Sequence, residues 1–259
     1  MRISRTCIVA ILLYLAGGTA FAGEADIIWA GGGWKISNNS NPCYTADSFI
    51  SLGKVESMQL FSEPEITLKD GDLGMDLGIG ARLPLLNGRI LGGYNLFWDY
   101  TSAEGLMRVG TGFEIYHPYF SSHLNIYLPL TDERDGREAL PGFDLTFGIP
   151  IPNAAFITVW PGYYFYSGRD RPDMKGLSLT AQINPIRPLF VSIGGRNDTL
   201  QSGRRSSEMF LKAEVRIPLS RLGKDLMAFN PGTYPLSLGA QMDHKVMREE
   251  FITYENKNE

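Results

Sequence analysis

Charged side chains at strand spacing are the residues of this 259-residue chain with the most capacity for chemistry. Asp76 and Arg82 stand an even number of residues apart, as do Arg108 and Glu114, and Lys212, Glu214 and Arg216; Asp99, His123 and Asp144 occupy comparable positions in other alternating stretches. Even spacing places side chains on one face of a strand. A face with both signs of charge supports two chemistries: ion pairing that holds a structure in shape, or a lining that selects ions in a water-filled channel. Pairing ranks ahead of selectivity. Catalysis finds less support, because His117, His123 and His244 have no neighbouring serine or carboxylate in the pattern of a nucleophile and its base. The chain therefore reads as a non-enzyme, with His123 a packing residue on the polar face. No His/Cys cluster suggests zinc, Gly31-Gly32-Gly33 lacks the flanks of a phosphate loop, and Asp132-Glu133-Arg134-Asp135 reads as a solvated loop. Neither a metal nor a cofactor is expected.

The elements that must position these residues are strands. Over 71–100, Leu73, Met75, Leu77, Ile79, Ala81 and Leu83 alternate with Gly74, Asp76, Gly78, Gly80 and Arg82. After Asn87-Gly88, Ile90, Gly92, Tyr94, Leu96, Trp98 and Tyr100 alternate with Leu91, Gly93, Asn95, Phe97 and Asp99. Asn and Gly both tolerate the positive φ of a type I′ turn, so the stretch predicts a hairpin centred on Asn87-Gly88. Comparable alternation gives about twelve strands between residues 25 and 217. The strand over 155–166 is aromatic on both faces and its pattern sets no orientation, while Pro64 weakens the strand over 57–68. Connection lengths alternate too. Long or polar ones fall at 37–45, 101–105, 131–140, 167–175 and 196–207, and short ones at Asn87-Gly88, His117-Pro118, 150–153 and 185–188; the turn at 69–72 is shorter than this rule wants. Short turns at one rim and long loops at the other describe an outer-membrane barrel with both ends periplasmic.

The N-terminus agrees with that location. Arg2 and Arg5, an apolar run over 7–15 and the small residues before Ala22 have the layout of a secretory signal peptide over 1–22. The run is too short to span a bilayer as a helix, and no long apolar run follows it. Cys7 leaves with the signal, and Cys43 alone makes neither an internal disulfide nor a metal site. Without Arg2 and Arg5, 22 basic side chains face 28 acidic ones, a formal charge of −6 that argues against nucleic acid as a partner. A secreted soluble β-sandwich would also alternate. Glycine with both signs of charge on the polar faces favours a membrane barrel, its aliphatic face toward lipid and the ten ionisable residues lining the lumen. Tyr94, Trp98, Tyr100, Tyr116, Tyr119, Trp160, Tyr163 and Tyr164 are candidates for interfacial girdles.

Several segments carry a family resemblance. Gly78-Ile79-Gly80-Ala81-Arg82, the run from Leu91 and Gly93-Tyr94-Asn95-Leu96-Phe97-Trp98-Asp99-Tyr100, and Arg108-Val109-Gly110-Thr111-Gly112-Phe113-Glu114 resemble the β-domain of inverse autotransporters, the intimin and invasin family. Pro141-Gly142-Phe143-Asp144-Leu145 is similar to that family's segment after its fourth surface loop. The stretch Met247-Arg248-Glu249-Glu250-Phe251-Ile252-Thr253-Tyr254-Glu255 is similar to its linker. The resemblance implies a twelve-stranded barrel whose C-terminal linker returns through the pore, first as a helix, for which 239–250 is the candidate, and then extended. No passenger follows within the 259 residues and no peptidoglycan-binding module precedes the barrel, so adhesion is not implied.

The expectation is thus an all-β chain: signal peptide 1–22, transmembrane antiparallel barrel 23–219, and linker or plug 220–259. Its expected function is anchor and conduit for its own C-terminal segment in the bacterial outer membrane. A small porin-like or structural barrel plugged by its tail is the alternative, and a soluble secreted β-protein a more distant one. Outer-membrane lipid is the expected surrounding, with barrel-assembly machinery and periplasmic chaperones as the partners of the class.

Overall fold

The computed structural model describes residues 25–102, 105–134, 136–170, 172–198, 207–219, 226–232 and 234–256; the signal peptide expected over 1–22 lies outside the described residues. Twelve strands form one closed antiparallel barrel: β1 (Asp26–Ser37), β2 (Cys43–Val55), β3 (Met58–Lys69), β4 (Asp72–Leu85), β5 (Ile90–Thr101), β6 (Leu106–His117), β7 (Phe120–Pro129), β9 (Gly142–Ile151), β10 (Ala154–Tyr166), β11 (Met174–Ile186), β12 (Leu189–Asn197) and β13 (Ser207–Pro218). Closure comes from β1, whose Trp34 lies opposite Tyr44 of β2 on one side and Ala213 of β13 on the other. No barrel strand keeps an open edge, as spanning a bilayer requires. The remaining short strands, β8 (Arg137–Ala139) and β14 (Tyr254–Asn256), pair with each other outside the barrel.

Burial is inverted relative to a soluble protein, and this decides against the sandwich. Leu177, Leu179 and Ile193 are 61%, 58% and 55% exposed, while Arg82, Asp99 and His123 are 0% exposed. Water outside and a dry core inside would demand the opposite. An aliphatic band facing hydrocarbon, with charge turned inward, is the arrangement of a membrane barrel. Among the described residues no helix is long and apolar enough to cross a membrane, so the crossing is made by strands.

The alternating connection lengths persist, with refinements. At the short-turn rim, two-residue links join Val55 to Met58, His117 to Phe120, Ile151 to Ala154 and Ile186 to Leu189. The link between β4 and β5 corrects the expected two-residue turn: Leu85 lies opposite Ile90, and the positive-φ pair is Leu86 and Asn87, at 50° and 56°, followed by Gly88 at 77°. The Gly88 N–H bonds to the Leu85 carbonyl at 3.0 Å, so the tight turn sits one residue earlier than Asn-Gly preference alone suggests. At the other rim the segment between β7 and β9 contains β8 rather than loop alone.

Several inward positions are apolar, which a uniformly polar face did not anticipate. Trp29, Phe49, Phe61 and Phe97 cluster around Val246 of the C-terminal segment, and Phe49 and Phe61 stack with centroids 4.9 Å apart. Gly78 and Gly80 of β4 make room for this cluster. A Cβ at either would sit 2.3 Å from the ring of Phe97 or Phe61. Three aromatic residues assigned to girdles belong inside instead: Tyr116, Trp160 and Tyr164 are buried. Tyr116 shares the parity of Arg108 and Glu114, and Trp160 and Tyr164 that of Gly162, so the even positions of β10 face inward.

Candidate functional site

The site is built where inward-facing charges of the strands meet residues 241–251. On β2 to β5 the register aligns a row of carboxylates: Asp47 lies opposite Glu65, Glu65 opposite Asp76, and Asp76 opposite Asp99. Only Arg108, opposite Asp99 on β6, ends the row with a positive charge. Like charges directly opposite on neighbouring strands repel. All four carboxylates are nonetheless buried, and the missing cations come from the C-terminal segment. Lys245 Nζ lies 2.6 Å from both Asp47 Oδ2 and Glu65 Oε2, and Arg248 reaches Asp76 Oδ2 at 3.3 Å and Asp99 Oδ1 at 2.5 Å. Arg108 Nε completes Asp99 from the other side at 2.6 Å.

A second group centres on Arg82 of β4. Its Nε and Nη2 bond Glu114 at 2.8 and 3.0 Å across the intervening strand β5, and its guanidinium carbon stands 4.7 Å from the Phe61 ring. Tyr116 donates to Glu114 Oε1 at 3.2 Å, and His123 packs edge-on against Tyr116 with Nδ1 3.6 Å from the same carboxylate oxygen. A third group lies on β13: Glu214 joins Arg216 at 3.2 Å and Lys212 at 3.3 Å, while Lys212 also holds Glu250 at 2.5 Å. Asp144 of β9 takes hydrogen bonds from Asn125 and the Tyr127 hydroxyl, at 2.8 and 2.5 Å.

The ten residues singled out from strand spacing therefore fall into groups along the wall, two of which the C-terminal segment ties together, since Lys245 reaches Glu214 of the β13 group at 3.5 Å as well as the carboxylate row. Spacing missed Asp47 of β2, Glu63 and Glu65 of β3, and Lys245 and Arg248 of the segment. Glu63 accepts the Val246 N–H at 3.0 Å, and Glu65 belongs to the carboxylate row. The odd positions Gln59, Phe61, Glu63, Glu65 and Thr67 do alternate, but Pro64 and the aromatic Phe61 masked the pattern. Strand parity could not find Lys245 and Arg248, which stand three residues apart in a stretch that is neither strand nor helix.

The course of the segment is defined by its partners. Near its start, the Asn230 N–H bonds Pro185 O and the Leu236 N–H bonds Pro118 O, both at the short-turn rim. Contacts with Gln59, Arg82 and the carboxylate row follow at Asp243 to Arg248. Beyond them the Leu140 N–H bonds Thr253 O, and β14 pairs with β8 at the opposite rim, where Glu255 accepts the N–H groups of Arg169 and Asp170. The helix expected over 239–250 shrinks to Leu238–Gln241. From Gln241 onward, carbonyls that a helical ladder would use are bonded by arginines of the wall.

Comparison with known proteins agrees with this architecture. The inverse autotransporter β-domain family profile matches residues 34–250. The uncharacterized protein YchO of Escherichia coli (strain K12) is 30% identical over 144 residues, which are 53% of this chain and 30% of that protein. The chain thus spans under a third of the length of that curated relative. Among solved structures, a membrane protein described in work on in-meso crystallization superposes with a TM-score of 0.76 at 20% identity, over 90% of this chain and all of the other. An outer membrane channel from Pseudomonas putida F1 gives 0.53 at 10% identity, over 77% of this chain and 98% of that one. The KdgM porin gives 0.50 at 8% identity, over 73% and 98%. Barrel, exposed aliphatic band and family profile place the protein in the bacterial outer membrane, in contact with lipid. The chain belongs to the inverse autotransporter β-domain family.

Proposed function

We propose that the barrel is both anchor and conduit, holding its own C-terminal segment in passage from the periplasmic rim to the cell surface. On this reading residues 1–22 are a removed signal peptide, 23–219 the barrel and 220–259 the linker. Asp76, Arg82, Asp99, Arg108, Glu114, His123, Asp144, Lys212, Glu214 and Arg216 line the lumen, and Asp76, Arg82, Asp99, Arg108, Lys212 and Glu214 hold that linker. The observation that carries the reading is the carboxylate row of β2 to β5, whose charge is matched by Lys245 and Arg248 of the segment. A wall built only to be stable has no reason to align four acids in register. A wall built around a basic segment does. Support also comes from the order of contacts, which runs from Pro118 at the short-turn rim to β8 at the long-loop rim. Short turns face the periplasm in this class of barrel.

The role is non-enzymatic: binding and positioning of a polypeptide account for the charged residues. Barrel-assembly machinery and periplasmic chaperones are the partners that insertion of such a barrel calls for. A porin-like barrel with the segment as a static plug would use the same ion pairs, and a tag separates the two. An epitope after Glu259 is expected to bind antibody on intact cells. Binding only after permeabilisation overturns the conduit.

A further inference from the structure

Contacts between the wall and residues 241–251 divide by what they read. Arg82 Nη1 donates to the carbonyls of Gln241, Met242 and His244, at 3.2, 2.8 and 2.7 Å. Trp29 Nε1 donates to Asp243 O at 2.9 Å, and Asn125 Nδ2 to Met247 O at 2.9 Å. Arg108 donates to Phe251 O at 2.9 Å and Glu249 O at 2.5 Å. Two acceptors complete the set: Glu63 takes the Val246 N–H and the Tyr127 hydroxyl takes the Glu249 N–H, at 3.0 and 2.8 Å. Every one of these is a main-chain group, a carbonyl that all residues carry or an N–H that all but proline carry. Lys245, Arg248 and Glu250, lying between them, are held through their side chains, as are Asp243 by Gln59, Val246 by the apolar cluster and Glu249 by Arg196.

The two arginines are each held by partners of the wall itself. Arg82 spends Nε and Nη2 on Glu114 and one face on Phe61; Arg108 spends Nε on Asp99 and a face on Tyr127, 4.2 Å away. A planar fork held along one edge presents its remaining donors in a set direction. Those donors meet carbonyls.

We infer that Trp29, Glu63, Arg82, Arg108, Asn125 and Tyr127 form a peptide-backbone binding groove on β1 to β7, in which Arg82 and Trp29 take the turn that ends the short helix Leu238–Gln241 and Glu63, Asn125, Tyr127 and Arg108 take the non-helical stretch after it, all through main-chain groups. The chain's own C-terminal segment is the occupant. Lys245, Val246 and Arg248 then set the register at which it rests, while the groove's hydrogen bonds carry no sequence preference. This inference rests on reading the segment as polypeptide in passage.

Hydrogen exchange of the Val246 and Glu249 amides, measured on purified full-length protein in detergent, tests it. The proposal expects Arg82→Lys and Arg108→Lys, which keep the charge beside Glu114 and Asp99 but lose the fork, each to speed exchange about tenfold or more. Replacing the segment's side chains by Gln241→Ala, Met242→Ala, His244→Ala and Met247→Ala together is expected to change it less than about twofold. Heat-modifiable gel migration checks that each barrel is folded, and the two lysine variants test the groove at separate places. Wild-type exchange in both lysine variants overturns the groove, as does exchange in the alanine variant as fast as in Arg82→Lys. Because the readout is on isolated protein, a segment that never reaches the cell surface defeats the conduit and leaves this result standing.

Discussion

The two halves of the barrel wall treat the C-terminal segment differently. The β1 to β7 half packs against it, with the Trp29, Phe49, Phe61 and Phe97 cluster closing on Val246 and the arginine forks on its carbonyls. The β9 to β13 half meets it through the ends of long side chains: Arg196 to Glu249 at 3.2 Å, Lys212 to Glu250 at 2.5 Å, Glu214 to Lys245 at 3.5 Å. Behind these ends lies a cavity of about 200 Å³, lined by Ser178, Thr180, Gln182 and Ser192 among others. One half grips and the other leaves room. The segment is thus packed on one side and tethered by ion pairs on the other.

Five perturbations sharpen or break this contrast. The largest effect belongs to the contact between the carboxylate row and the segment. Lys245→Met leaves Asp47 and Glu65 facing each other without their shared cation and is expected to cost about 3–5 kcal/mol, measured as the loss in denaturant midpoint of the folded barrel. Removing residues 226–259 altogether should raise single-channel conductance in planar bilayers and make it cation-preferring, because the carboxylate row then faces water without Lys245 and Arg248. Equal conductance with and without the segment would mean that the segment does not fill the gripping half.

Substitutions on the open half separate its two faces. Leu179 and Thr180 are neighbours on β11, one 58% exposed on the outer surface and the other lining the cavity. Leu179→Arg puts a charge toward hydrocarbon and is expected to destabilise by about 2–4 kcal/mol near the bilayer midplane. Thr180→Phe grows into the cavity and should change stability by less than about 1 kcal/mol. The matching change on the gripping half, Gly80→Val, drives a Cβ to 2.3 Å from Phe61 and is expected to cost about 1–3 kcal/mol. If Thr180→Phe proves as harmful as Gly80→Val, the two halves are equally packed and the contrast fails.

Strand parity carried most of what could be read beforehand. Over Asp72–Leu85 and Ile90–Thr101 the apolar and polar faces were legible residue by residue, and the connection lengths distinguished the rims. Parity names a face and not a partner. It turned Asp76 and Asp99 inward without showing that they lie opposite each other or that their cation would be Arg248, more than a hundred residues away. It also fails where both faces carry bulky rings, as on β10, and where a proline interrupts, as on β3. The unexpected apolar cluster inside has the same origin: Phe61 and Phe97 sit among acids because glycines of β4 lie opposite them. That depends on register between strands, which a single sequence does not contain.

A conduit requires that the C-terminal segment cross the barrel and emerge at the long-loop rim. In β14, Glu255 lies opposite Glu138 of β8, at the cross-strand separation a disulfide can bridge. A chain carrying Glu138→Cys and Glu255→Cys, oxidised on intact cells, should cross-link and be reopened by a reductant that cannot enter the cell. A folded barrel that fails to cross-link, or a bond that only a permeant reductant opens, would contradict the account.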